Sequence, residues 1–147
     1  MAEDSSSIIR KLFDALNSKD LDGIEALAAD NCELTDVASG EKFRGPEGAR
    51  KNAEGWLTAF PDAKLEVLNV VSSGDWGFAE AVGRGIHSGP LKTPGGDVPP
   101  TGRQMELHFC TVVKVQDGKI VESRDYYDGM TIATQLGMMP ELAESTA

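Results

Sequence analysis

Cysteine, histidine and clustered basic residues are all scarce in this sequence. The two cysteines, Cys32 and Cys110, have no CxxC partner and no histidine nearby at metal-ligand spacing. A disulfide framework and a zinc site are therefore not indicated, and both residues read as buried thiols. Nowhere do about 18 apolar residues stand together, as a membrane-spanning helix requires. The N-terminus, MAEDSSSIIRKLF, lacks the basic region and continuous apolar run of an export signal, so a cytoplasmic protein without a membrane partner is expected. Lys and Arg number 14 against 24 Asp and Glu, a net charge of −10, and the basic residues are scattered. Such a surface repels phosphate backbones, which argues against a nucleic-acid partner. With neither a P-loop nor a GxGxxG fingerprint, nucleotide cofactors have no docking motif, and no cofactor is expected.

The chain is long enough, at 147 residues, to bury well over half of its unfolded surface, so one domain over residues 1–147 is expected without a covalent or metal staple. Ile8, Ile9, Leu12, Phe13 and Leu16 recur at helical spacing behind a run of serines able to cap a helix. Asp20 then caps a second, shorter apolar face of Leu21, Ile24, Leu27 and Ala28. After a short strand around "CELTDV", Pro46 marks the start and Pro61 the stop of a third helix carrying Ala49, Ala53, Trp56 and Phe60.

Beyond Pro61 the periodicity changes to two. "AKLEVLNVV" puts Leu65, Val67 and Asn69 on one side, and Gly74-Asp75 turns the chain into "WGFAEAVGRGIHSG". "PLKTPGGDVPPTG" reads as a loop. "RQMELHFCTVVKV" and "KIVESRDYY" flank "QDG", a hairpin signal. "GMTIATQLGMMPE" predicts a short terminal helix stopped by Gly137 and Pro140, with the last seven residues frayed. Helices followed by hairpin-linked strands define a segregated α+β domain. A long antiparallel sheet curling around helices makes a half-open cone whose concave face suits a small molecule.

In "GFAEAVGRGIH", alternation puts Gly77, Ala79, Ala81, Gly83, Gly85 and His87 on one face. Two arrangements fit so bare a face: helices packed closely against it, or space kept for something bulky with His87 at its rim. His87 and His108 are the only histidines, and either could act near neutral pH or serve as a hydrogen-bonded structural residue.

"ESRDYYD" sorts the same way. Ser123, Asp125 and Tyr127 share one face, with Glu122, Arg124 and Tyr126 on the other. Asp128 precedes a helix and reads as its cap. Asp125 needs either a salt bridge with an arginine or an apolar cavity that raises its proton affinity and fits it for proton transfer at neutral pH.

These pieces together resemble the SnoaL-like polyketide cyclases of the nuclear-transport-factor-2-like superfamily. The likeness spans nearly the whole chain, through "LFDALNSKDLDGI", "GPEG", "AFPDAKLEV", "GRGIHSGPL", "VPPTGR", "DGKIVESRDYYD" and the closing "QLG". It implies a cone-shaped α+β fold and, at the position of Asp125, the acid/base of an intramolecular aldol ring closure without metal or Schiff base. His87 matches a family histidine. The histidine that assists on the preceding strand is replaced by Thr111. The expected site is therefore Asp125 and His87 as catalytic residues, with Trp56, Phe109, Thr111 and Tyr127 binding a small apolar carbonyl compound by aldol closure, isomerisation or hydration. A non-catalytic ligand-binding or dimerisation module is the alternative, and a homodimer paired through the outer sheet face is expected.

Overall fold

The computed structural model describes residues 4–138; the stop at Pro140 and the fraying of the last seven residues lie outside them. Helix α1 spans Ser5–Ser18, and its cap is Asp4, whose carboxylate accepts from the Ser7 amide, rather than one of the serines. Ser5 is instead buried and donates to the Trp76 carbonyl 2.9 Å away. The apolar stripe buries Ile8, Ile9 and Phe13, each contributing about 1.5–3 kcal/mol against exposure. Helix α2 (Leu21–Leu27) is capped by Asp20 through the Gly23 amide. Helix α3 (Gly45–Ala59) carries Pro46 in its first turn, where the missing N–H costs nothing.

Strand β1 (Ala28–Asp36) follows α2 directly and is longer than "CELTDV" suggests, and β2 (Lys42–Arg44) pairs with it. Strands β3 (Lys64–Ser73) and β4 (Trp76–Ile86) form a hairpin, as do β7 (Gln104–Gln116) and β8 (Lys119–Tyr127). Asp117 and Gly118, at φ 53° and 73°, make the two-residue turn of the second. The segment expected as plain loop contains a separate hairpin, β5 (Leu91–Thr93) with β6 (Gly96–Val98). Gly96 sits at φ 117°, so its own glycines supply the turn. Helix α4 (Gly129–Gln135) closes the described chain.

The main sheet runs β2-β1-β8-β7-β4-β3 and is antiparallel except where β1 lies parallel to β8. A register shift between Val67 and Asn69 flips the later half of β3. Asn69 consequently faces out and donates to Glu80 at 2.6 Å, and Val70 packs on the core in its place. Cys32 is buried as expected, whereas Cys110 is only partly buried. It stands opposite Glu80 and Tyr126 on the outward side of β7.

Candidate functional site

The bare face of β4 divides between the two arrangements its sequence allowed. A Cβ at Gly77 would meet Ile9 Cδ1 at 2.8 Å and Ser5 Cβ at 2.9 Å, so here α1 packs directly on the strand. Farther along, Gly83 and Gly85 border an apolar cavity of about 160 Å³. Its walls come from α1 (Phe13), α3 (Ala53, Trp56), the sheet (Leu65, Leu107, Phe109) and the α3–β3 link (Phe60).

The polar part of this cavity follows from strand pairing. Pairing on β8 sets Thr111 beside Asp125 on one side and Asp36 beside Asp125 on the other. Three inward residues from β7, β8 and β1 thus form one row. Thr111, buried, donates its hydroxyl to Asp125 Oδ1 at 2.7 Å. Asp36, also buried, accepts the Tyr127 hydroxyl on Oδ2 at 2.6 Å and the Ser39 amide on Oδ1 at 3.0 Å. Asp125 lines the cavity with Ser123 and Tyr127, and among the described residues no Lys or Arg pairs with it. Burial raises its pKa to about 6, the Thr111 hydrogen bond opposes the rise, and the nearby Asp36 charge adds to it. Burial, then the bond to Asp36, pushes the Tyr127 phenol far above its ordinary range.

The other expected residues separate. Trp56 meets Tyr127 edge-on, with centroids 5.5 Å apart at 85°, and stacks on Phe60 at 6.5 Å. Phe109 stacks on Phe13 at 6.1 Å in the cavity wall. Thr111 lines the cavity too, but its hydroxyl hydrogen is given to Asp125. His87 is not at the cavity rim. It is wholly buried, tilted against Phe60 at 5.5 Å, with Nδ1 3.2 Å from the Thr101 amide and 3.0 Å from its hydroxyl. Its backbone accepts from Gly102 and donates to Arg103. The physical reason is that β4 ends at Ile86, so the chain at His87 has left the cavity-lining pleat and closes the base of the segment carrying β5 and β6. Burial lowers its pKa. His108 faces outward, exposed, 3.8 Å from Glu106. Asp128 caps α4 through the Met130 amide.

Sequence reasoning missed Asp36 and Asn52, the latter an α3 residue in the cavity wall. Asp36 sits in a short stretch with no motif, and only the parallel β1–β8 pairing brings it to Asp125. Among the described residues, no group of three His, Cys, Asp or Glu side chains could hold a metal ion.

A curved sheet folded over helices, with an acid set in its concave face, is the architecture of the nuclear-transport-factor-2-like cones. A candidate SnoaL-like polyketide cyclase from Jannaschia sp. CCS1 shares this fold at TM-score 0.79 and 24% identity, over 91% of this chain and 92% of that one. The family model for SnoaL-like polyketide cyclases matches residues 6–136. The chain belongs to that family. It is 29% identical over 133 residues to the aklanonic acid methyl ester cyclase DnrD of Streptomyces peucetius, covering 88% of each. It is 34% identical to the crystal structure of IdmH, a candidate polyketide cyclase from Streptomyces antibioticus, at TM-score 0.72 over 90% and 97% of the two chains.

Proposed function

We propose that this protein is a cyclase-type enzyme that uses Asp125 as general acid/base on a bulky, mostly apolar carbonyl compound held in the cone. The observation that carries the reading is the Asp125 carboxyl, partly buried in an apolar cavity and raised to about 6. A base with proton affinity close to the working pH is both available and strong enough to take a proton from carbon beside a carbonyl. Thr111 occupies Oδ1, leaving Oδ2 for the ligand.

In an aldol closure, Asp125 takes the α-proton and an enolate forms. The enolate carbon attacks a second carbonyl of the same molecule, making the ring C–C bond. The proton on Asp125 then passes to the new alkoxide, restoring the carboxylate. Apolar walls exclude water from the enolate and hold the chain folded on itself, which lowers the entropic barrier to ring closure.

The first test compound is aklanonic acid methyl ester, the substrate in the name of the Streptomyces peucetius relative. A second is 2-tetralone in D₂O, whose α-hydrogens exchange if Asp125 is a working base. Asp125→Asn should lower ring closure, or exchange, on the order of 10²-fold or more. Undiminished rates in a folded variant would overturn the reading. The competing reading, a binding module without chemistry, is favoured by threonine at position 111 where the family's helper histidine stands. It predicts saturable tetralone binding with no exchange above the buffer rate.

A further inference from the structure

The space inside the cone is double. Beside the inner cavity lies an outer one of about 520 Å³, whose charged lining is of both signs: Asp36, Glu41 and Glu54 with Lys51 and Lys92. Asn52, Trp56 and Tyr127 line both, so these three side chains stand between them as a neck. The inner cavity matches in size an engineered apolar cavity of about 150 Å³ that admits benzene. A ligand of several fused rings is larger than the inner cavity alone, and the outer space across Asn52, Trp56 and Tyr127 is where it can extend.

The Tyr127 side of the neck has a definite hydrogen-bonding polarity. A phenol has one hydrogen, and that of Tyr127 goes to Asp36 at 2.6 Å, a length typical of a charge-assisted bond. Asp36 is itself fixed by the Ser39 amide on its other oxygen, and the β1–β8 pairing holds its strand. Tyr127 is fixed as well, by the edge of Trp56. With its hydrogen committed, the Tyr127 oxygen offers lone pairs only. Thr111 has likewise given its hydrogen to Asp125.

We infer that Tyr127, with Asp36 as its positioning residue, determines specificity by accepting a hydrogen bond from a hydroxyl group on an aromatic ligand lying across the neck beside Trp56. The inference rests on the proposed use of the cone as the ligand site and adds one specificity contact to it, with the ligand's reacting carbonyl end inward near Asp125. At the Tyr127 oxygen an ether or ketone would meet lone pairs and gain nothing, so only the Asn52 amide and the Trp56 indole N–H are left to donate to it. The indole of Trp56 supplies a flat apolar wall for such a ring.

The test needs no turnover. Binding of 2-naphthol and of 2-methoxynaphthalene, alike in ring and differing in the donor, is measured by equilibrium dialysis read from the ligands' own fluorescence. The quantity compared is the ratio of the two Kd values in wild type, Tyr127→Phe and Asp36→Asn. In wild type the ratio should favour the naphthol about five- to tenfold more than in Tyr127→Phe, the usual effect of one hydrogen bond. Asp36→Asn should also shrink it, because the amide can turn its N–H toward the phenol and free the phenolic hydrogen. Should Tyr127→Phe fail to fold, judged by near-ultraviolet circular dichroism, the Asp36→Asn ratio decides alone. Equal ratios in the folded proteins, or no binding of either naphthalene, would overturn the inference. Its failure is separable from that of the proposed chemistry: Asp125→Asn tests turnover and leaves the Tyr127–Asp36 bond in place.

Discussion

Burial does most to hold the proton on Asp125, and two neighbours act on it in opposite senses, each of which can be removed alone. Asp36→Asn deletes the like charge, so the Asp125 pKa should fall below about 6; Thr111→Val deletes the donor that favours the carboxylate, so it should rise above that value. A ¹³C titration of the Asp125 carboxyl, or the acid limb of the rate profile, reads both directions. The same shift has a stability consequence. Because the folded pKa lies above the unfolded value of 3.8, the folded state binds more protons between pH 3.8 and about 6, and stability falls as pH rises through that window. Asp125→Asn removes this loss. The variant should gain on wild type from pH 4 to pH 7.5 by on the order of 2 kcal/mol, at ~1.4 kcal/mol per pKa unit less solvent screening of a carboxyl that is only partly buried. Urea melts at the two pH values check it, and an unchanged difference would contradict the buried setting of this acid. Asp125 itself was legible in the sequence, since strand alternation alone put it with Ser123 and Tyr127. Asp36 was not, because its proximity depends on which strand lies next to β8.

At the scale of the element, β4 does two jobs along one bare face. Gly77→Val should destabilise the fold by about 1–3 kcal/mol, because its Cβ enters the Ile9 and Ser5 side chains of α1. Gly83→Val adds its methyls where Leu65 Cδ2 and Phe109 already approach a Cβ at 3.0 and 3.7 Å, beside the inner cavity. Naphthol affinity should fall there by more than thermal stability does, as dialysis and melting curves would compare. His87 belongs to this scale too. It ties the base of the β5–β6 segment by the Thr101 contacts, so His87→Ala should lower the melting temperature while leaving the Asp125 limb of any pH–rate profile in place. The sequence could not separate these roles. Period-two alternation tells which residues share a face, but not where along the strand a helix ends and a cavity begins, nor that a strand stops one residue short of a histidine. The β3 bulge is another such case, because the slip that turns Asn69 outward is set by pairing with β4.

For the whole molecule, the outer sheet face carries Val71 at 58%, Phe78 at 42% and Tyr126 at 42% exposure, with Val71 directly opposite Phe78. An exposed apolar pair such as Val71 and Phe78 suits a protein interface, in keeping with the expected homodimer. Sedimentation should give about twice the 15.7 kDa chain mass, and Phe78→Glu should return the monomer without loss of fold; a wild-type monomer would contradict this. The sequence by itself determined the α+β class, the three leading helices, both long hairpins and the face on which Asp125 stands. These depend on periodicities of 3.6 and 2 and on turn residues, which are properties of neighbours along the chain. Only the tertiary structure decided that β1 lies parallel to β8 and brings Asp36 to Asp125 and Tyr127. It also decided that His87 is packed behind Phe60, and that the cone is divided at Trp56 and Tyr127. Each of these depends on which distant segments share a surface, and burial of the whole apolar set selects that pairing without leaving a local mark at any one residue.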